Sequence, residues 1–163
     1  MATDTISIFT GDVVEGAVWL VTDTEVTDDL SNAYSRMTAL GETYAVVGNN
    51  DASPVNSFPP GAVDTTITTQ WAYDELSSAW SSWIGSKTAT QAENNYGSYS
   101  VLTSTGLRMI SVNTNFWYKQ NFWLYEATME RDPSGLLAWL ATELEAAETA
   151  EERVWLMGKT LFH

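Results

Sequence analysis

Apolar and polar positions along this chain follow two rhythms, alternation over a few residues and spacing by three or four over longer runs. TISIFTGD (residues 5–12) alternates and then breaks at Gly11, which predicts a short strand feeding a loop that carries Asp12. From Val26 onward, Val26, Leu30, Ala33, Tyr34, Met37 and Leu40 fall at helical spacing, with Gly41 in place for a C-cap. TYAVVGNND (43–51) then returns to a strand. Strand, helix and strand in this order predict a βαβ unit, whose parallel strands present their carboxyl ends along one edge. Asp12 and the cluster Asn49, Asn50, Asp51 are therefore expected on a common rim, where α/β sheets hold their ligands. The same short polar residues are also ordinary turn formers, so the cluster reads as a turn or as a ligand site.

The pattern lapses over 52–66, which carries three of the four prolines and no periodicity, and predicts a surface loop beside that rim. QWAYDELSSAWSSWIG (70–85) resumes helical spacing through Tyr73, Leu76, Trp80, Trp83 and Ile84, a stripe expected to pack in the core. YGSYSVLTSTGLRMISVNTNFW (96–117) predicts two strands around a turn at Ser104–Gly106. DPSGLLAWLATELEAAETA (132–150) predicts a helix with Asp132 as N-cap, Pro133 in the first helical position, and Leu136, Leu137, Leu140, Leu144 and Ala147 on one face. RVWLMGKTLFH (153–163) predicts a last strand followed by Gly158 and Lys159.

Composition narrows the chemistry. A length of 163 residues with 44% hydrophobic content suits one folded unit with a real core. Twenty-one acidic against seven basic residues give a net charge of −14, which repels phosphate backbones and argues against nucleic-acid binding. With no cysteine, disulfides, thiolate nucleophiles and thiolate zinc sites are excluded. The single histidine, His163, cannot by itself build a His-rich metal site or a catalytic triad, so a metal here would rest on Asp, Glu and Asn oxygens. MATDTISIFTGD has no basic and apolar leader pattern, and no run of eighteen apolar residues occurs, so the sequence shows neither a secretory signal nor a membrane span and leaves localisation open.

FTGD at one strand end, GNND at the next, then NSFPP, MISVNTNFW, NFWLYE and WLMGK, in that order, resemble the acid sphingomyelinase-like group of calcineurin-type metallophosphoesterases across essentially the whole chain. The resemblance implies a single partial domain over 1–163. Its fold would be part of an α/β/β/α sandwich, with βαβ units and a β-hairpin, lacking the strands of the family's first and last motifs. It also implies two zinc ions at the strand ends and hydrolysis of a phosphodiester lipid such as sphingomyelin, in relatives that are secreted or lysosomal. Asp12 matches the aspartate that bridges the metals, Asn49 matches an asparagine ligand, and Asp51 follows as a supporting carboxylate.

Departures from the family pattern carry equal weight. Asn50 stands where the family has a histidine that serves the leaving group, and an amide exchanges no proton near neutral pH. Lys159 stands where a histidine ligand follows a strand; an ammonium has no lone pair for a metal. It can stand in for part of the positive charge, or lie at the surface near the chain end. The remaining ligand motifs would lie before Met1 and after His163, and a lone terminal histidine more often sits in solvent. The expectation is a sphingomyelinase-like chain that is inactive or severely impaired. The alternatives are a binding or regulatory remnant with an aromatic groove of Phe116, Trp117, Phe122 and Trp123, or a partial product of a longer gene. An open sheet edge beside residues 5–12 would favour self-association or instability.

Overall fold

The computed structural model describes residues 5–14, 20–126 and 131–160. The first crossover runs from β1 (Ser7–Phe9) through α1 (Asp23–Met37) to β2 (Thr43–Ala45), and the two strands pair in parallel with Phe9 opposite Ala45. Helix α1 starts on a capping box: the Glu25 N–H donates to the Thr22 hydroxyl at 3.3 Å, and the Thr22 N–H donates to the Glu25 carboxylate at 2.8 Å. Val26, Leu30 and Tyr34 form its buried stripe. The helix ends at Met37 with Thr38 as C-cap, so Gly41 lies in the connection to β2 rather than at the cap, and Leu40 is exposed.

Strand β2 is buried on both faces, as the apolar run Tyr44–Val47 requires. Its edge away from β1 meets side chains instead of a strand. The Ala45 N–H donates to the Tyr99 hydroxyl at 2.9 Å; that hydroxyl and the one of Ser111 donate to the Ala45 carbonyl at 2.8 and 3.0 Å. Buried backbone groups are thereby satisfied across the junction of two sheets. The second sheet has the order β3-β4-β5: β3 (Tyr99–Leu102) and β4 (Leu107–Ser111) form an antiparallel hairpin, and β5 (Arg153–Met157) lies parallel to β4. The fold is mixed α/β, with one parallel pair and one mixed sheet among the described residues.

Helices α2 (Gln70–Ile84) and α3 (Ser86–Asn94) adjoin at Gly85, whose φ of +80° suits glycine. The expected stripe of α2 is in the core: Tyr73, Leu76, Trp80 and Ile84 are buried, and the Trp80 ring meets Tyr99 and Tyr34 at centroid distances of 5.9 and 6.4 Å. Helix α3 has no counterpart in the apolar pattern, because only two alanines, Ala89 and Ala92, make its buried face.

Two further expected boundaries move. Strand β4 stops at Ser111, and residues 114–117 and 122–125 are 3-10 turns; the first opens where the Asn113 carboxamide oxygen accepts the Asn115 N–H at 3.2 Å, a local bond that competes with strand pairing. Helix α4 is Leu136–Thr149 and begins after Gly135, not at Pro133. Residues 132–135 turn back, so the Asp132 carboxylate still caps the helix from outside, accepting the N–H groups of Leu137 and Ala138 at 3.0 Å each. No helix among the described residues is long and apolar enough to cross a membrane.

Candidate active site at the strand ends

Parallel pairing of β1 with β2 and of β4 with β5 brings four strand ends together. After β1 the chain turns through Gly11 and Asp12, both left-handed at φ of 70° and 59°. The turn brings it against Gly48: a Cβ on Gly48 would lie 2.2 Å from the Asp12 nitrogen and 2.3 Å from Asp12 Oδ1. Only glycine at 48 leaves room for the two loops to touch.

Asp51 is fully buried beneath them. Its carboxylate accepts N–H groups from Gly48 at 2.7 Å, Val13 at 3.2 Å and Asp12 at 3.3 Å, so it knots the ends of β1 and β2 together. Burial pushes its pKa up to about 6; the Asp12 charge adds to that rise, while the three N–H donors oppose it. Asp12 faces outward from the knot. One oxygen, Oδ1, accepts the Asn50 N–H at 3.0 Å, and Oδ2 meets the Lys159 ammonium at 2.8 Å. The side chains of Lys159 and Asp12 keep only 27% and 22% of their surface exposed, so Lys159 is a member of the rim and not a free surface lysine.

Asn49 and Asn50 are half-buried and bonded to each other, Asn49 Nδ2 donating to Asn50 Oδ1 at 2.9 Å. Asn50 Nδ2 turns to the Val14 carbonyl at 3.5 Å, and the Asn49 carbonyl accepts the Asn56 N–H at 3.0 Å. The short polar cluster is thus a bonded loop and a rim at the same time.

Further rim residues come from the ends of β4 and β5. Asn115 is fully buried and donates to the Gly48 carbonyl at 3.3 Å and to Asn113 Oδ1 at 2.8 Å. Asn121, also fully buried, donates to the carbonyls of Phe58 at 2.9 Å and Asn115 at 3.0 Å. Thr114 receives the Thr160 N–H at 2.9 Å, and a Cβ on Gly158 would meet its methyl at 2.4 Å. The sequence pattern named Gly158 ahead of Lys159 but did not single out Thr114, Asn115 or Asn121. Their signal is the density of Asn and Thr directly after an apolar strand.

The four expected groove aromatics separate. Phe116 is a core residue packed on Tyr96 at 5.1 Å, while Phe122 is 40% exposed and tilts on Trp123 at 5.2 Å. Trp117 is half-buried, with Nε1 donating to the Arg131 carbonyl at 3.4 Å. His163 lies outside the described residues.

These groups do not fit a pair of zinc ions. Among the described residues no three His, Cys, Asp or Glu side chains are grouped where one ion could take them all, and both Asp12 oxygens are engaged. A catalytic zinc rests on three protein ligands.

Fold and rim define an α/β protein that carries its polar site at the carboxyl ends of parallel strands. No protein-family model matches the chain. Curated proteins do: it is 35% identical over 157 residues to sphingomyelin phosphodiesterase of Homo sapiens, covering 92% of this chain and 24% of that protein. It is 32% identical over 162 residues to sphingomyelin phosphodiesterase B of Dictyostelium discoideum, covering 94% and 24%. Cyclic GMP-AMP phosphodiesterase SMPDL3A of Mus musculus is 27% identical over 118 residues, covering 72% and 24%. The chain belongs to the acid sphingomyelinase-like family, and it spans about a quarter of the length of the curated relatives it matches.

Proposed function

We propose that the chain forms part of the α/β/β/α sandwich of a sphingomyelinase-like, metal-dependent phosphodiesterase and that catalysis at its own strand-end rim is abolished or severely impaired. The observation that carries this reading is the meeting of Asp12 with the 48–51 loop at one rim, inside a stretch 35% identical to a sphingomyelin phosphodiesterase. The substrate class follows from the names of the sphingomyelin phosphodiesterases among the relatives, a phosphodiester lipid such as sphingomyelin.

Impairment follows from the side chains. Asn50 is an amide whose oxygen accepts from Asn49 and whose nitrogen donates to the Val14 carbonyl, so it can orient a phosphate oxygen at most and cannot protonate a leaving group. Loss of a general acid costs about 10²- to 10⁴-fold in rate. Metal binding at Asp12 and Asn49 would need donors that the described rim does not hold. Turnover of sphingomyelin in mixed micelles and of a chromogenic phosphodiester, with and without added zinc, tests the reading. The expected outcome is no turnover above buffer for the wild type and none for Asn50→His alone. Zinc-dependent turnover with two zinc ions per chain would overturn the assignment of impairment.

A further inference from the structure

We infer that Lys159 has taken the place of a metal ion as the counter-charge of Asp12, so that the rim closes as an internal ion pair and excludes divalent metal. The inference rests on the reading above only for the place of the site.

Three observations converge on it. First, the contact is with Oδ2 of Asp12, the carboxylate oxygen that faces away from the Asn50 N–H, and at 2.8 Å it has the length of a charge-assisted hydrogen bond. Second, the lysine is held from both flanks. Gly158 sits against the Thr114 methyl, where no Cβ fits, and both the N–H and the hydroxyl of Thr160 bond Thr114 Oγ1 at 2.9 Å. A lysine positioned this way has a built reach, unlike a solvated one. Third, a cation at this rim is favoured: Asp12 and buried Asp51 both flank Gly48, as a Cβ there would lie 2.3 Å from Asp12 Oδ1 and 2.9 Å from Asp51 Oδ2. Two carboxylates this close to one backbone position repel, and a positive group on Asp12 offsets part of that cost.

An ammonium supplies that charge with three donors and offers a metal nothing, having no lone pair. A divalent ion at Oδ2 would have to displace Lys159 or bear its charge at contact distance. Lysine at this position therefore supplies the charge of a metal and removes its binding site in the same step.

The test is zinc content after equilibrium dialysis, combined with melting temperature in zinc and in chelator. Wild type is expected to retain no zinc, with a melting temperature that neither addition moves. Lys159→Met loses the pair and melts about 2–4 °C lower, the scale set by a partly exposed ion pair in a chain of this size. Lys159→Arg keeps the charge, and therefore stays metal-free at nearly the wild-type melting temperature. Lys159→His places a lone pair beside Asp12 and Asn49, and is expected to gain about one zinc per chain and a melting temperature that rises in zinc and falls in chelator. Zinc held by the wild type and lost in Asp12→Asn, or no zinc gained by Lys159→His, overturns the inference. None of these readouts depends on hydrolysis, so absence of turnover leaves this result independent.

Discussion

At the scale of single residues the rim depends on Gly48 more than on any charged group. It lets the β1 and β2 loops touch, and its N–H is the shortest of the three that hold Asp51, at 2.7 Å. Gly48→Ala would push a methyl into the Asp12 backbone nitrogen, which cannot move without breaking the Asp51 knot. The expected loss is about 1–3 kcal/mol, the usual scale for overpacking a tight site, read as a lower urea midpoint at unchanged slope. An unchanged midpoint would show that the loops do not pack as described. The glycine was legible in the motif GNND, but its reason was not, since the atoms it must avoid belong to a residue 36 positions earlier in the chain.

At the scale of elements, Glu42 joins the start of β2 to the β3–β4 turn. Its carboxylate accepts the Tyr44 hydroxyl, the Ser104 hydroxyl at 2.8 Å and the Ser104 N–H at 3.1 Å. These donors, Tyr44 foremost and then Ser104, hold its pKa below the usual 4.5. A carboxylate whose pKa is lowered by folding contributes stability that is complete above its unfolded pKa and is lost as pH falls through the folded one. Wild type is therefore expected to exceed Glu42→Gln in melting temperature at neutral pH, with the gap closing in acid below about 4.5. A gap that stays constant through that range would remove Glu42 from the link. The acidic residue was visible in the sequence; its partner Ser104 was readable only as a hairpin turn residue.

At the scale of the whole molecule, stability concentrates where α1, α2 and the two sheets meet. Trp80 is fully buried there between Tyr34 and Tyr99, whereas Trp155 on the outer strand β5 is 51% exposed. Trp80→Ala is expected to cost about 3–5 kcal/mol and to remove most of the near-ultraviolet circular dichroism of the aromatic cluster. Trp155→Ala should stay within about 0.5 kcal/mol of the wild type. Equal losses at the two tryptophans would contradict this placement of the core.

What the sequence by itself determined are properties that repeat locally. The spacing of Val26, Leu30 and Tyr34 and of Tyr73, Leu76 and Trp80 marks helix faces, and the run before Asn49 marks a buried strand. The order of the motifs from FTGD to WLMGK marks the family. Periodicity records that a face is buried, because burial recurs with the turn of the helix or the pleat of the strand. It does not record what lies across the interface. Helix α3, with only two alanines buried, leaves almost no trace in the pattern, and Phe116 reads as a groove residue until the Tyr96 ring closes over it. Lys159 is the sharpest case, since the WLMGK motif marks its position but leaves open whether it serves the rim or lies at the surface. Only the parallel docking of β5 on β4, and of Thr160 on Thr114, carries its ammonium to Asp12 at the far end of the chain.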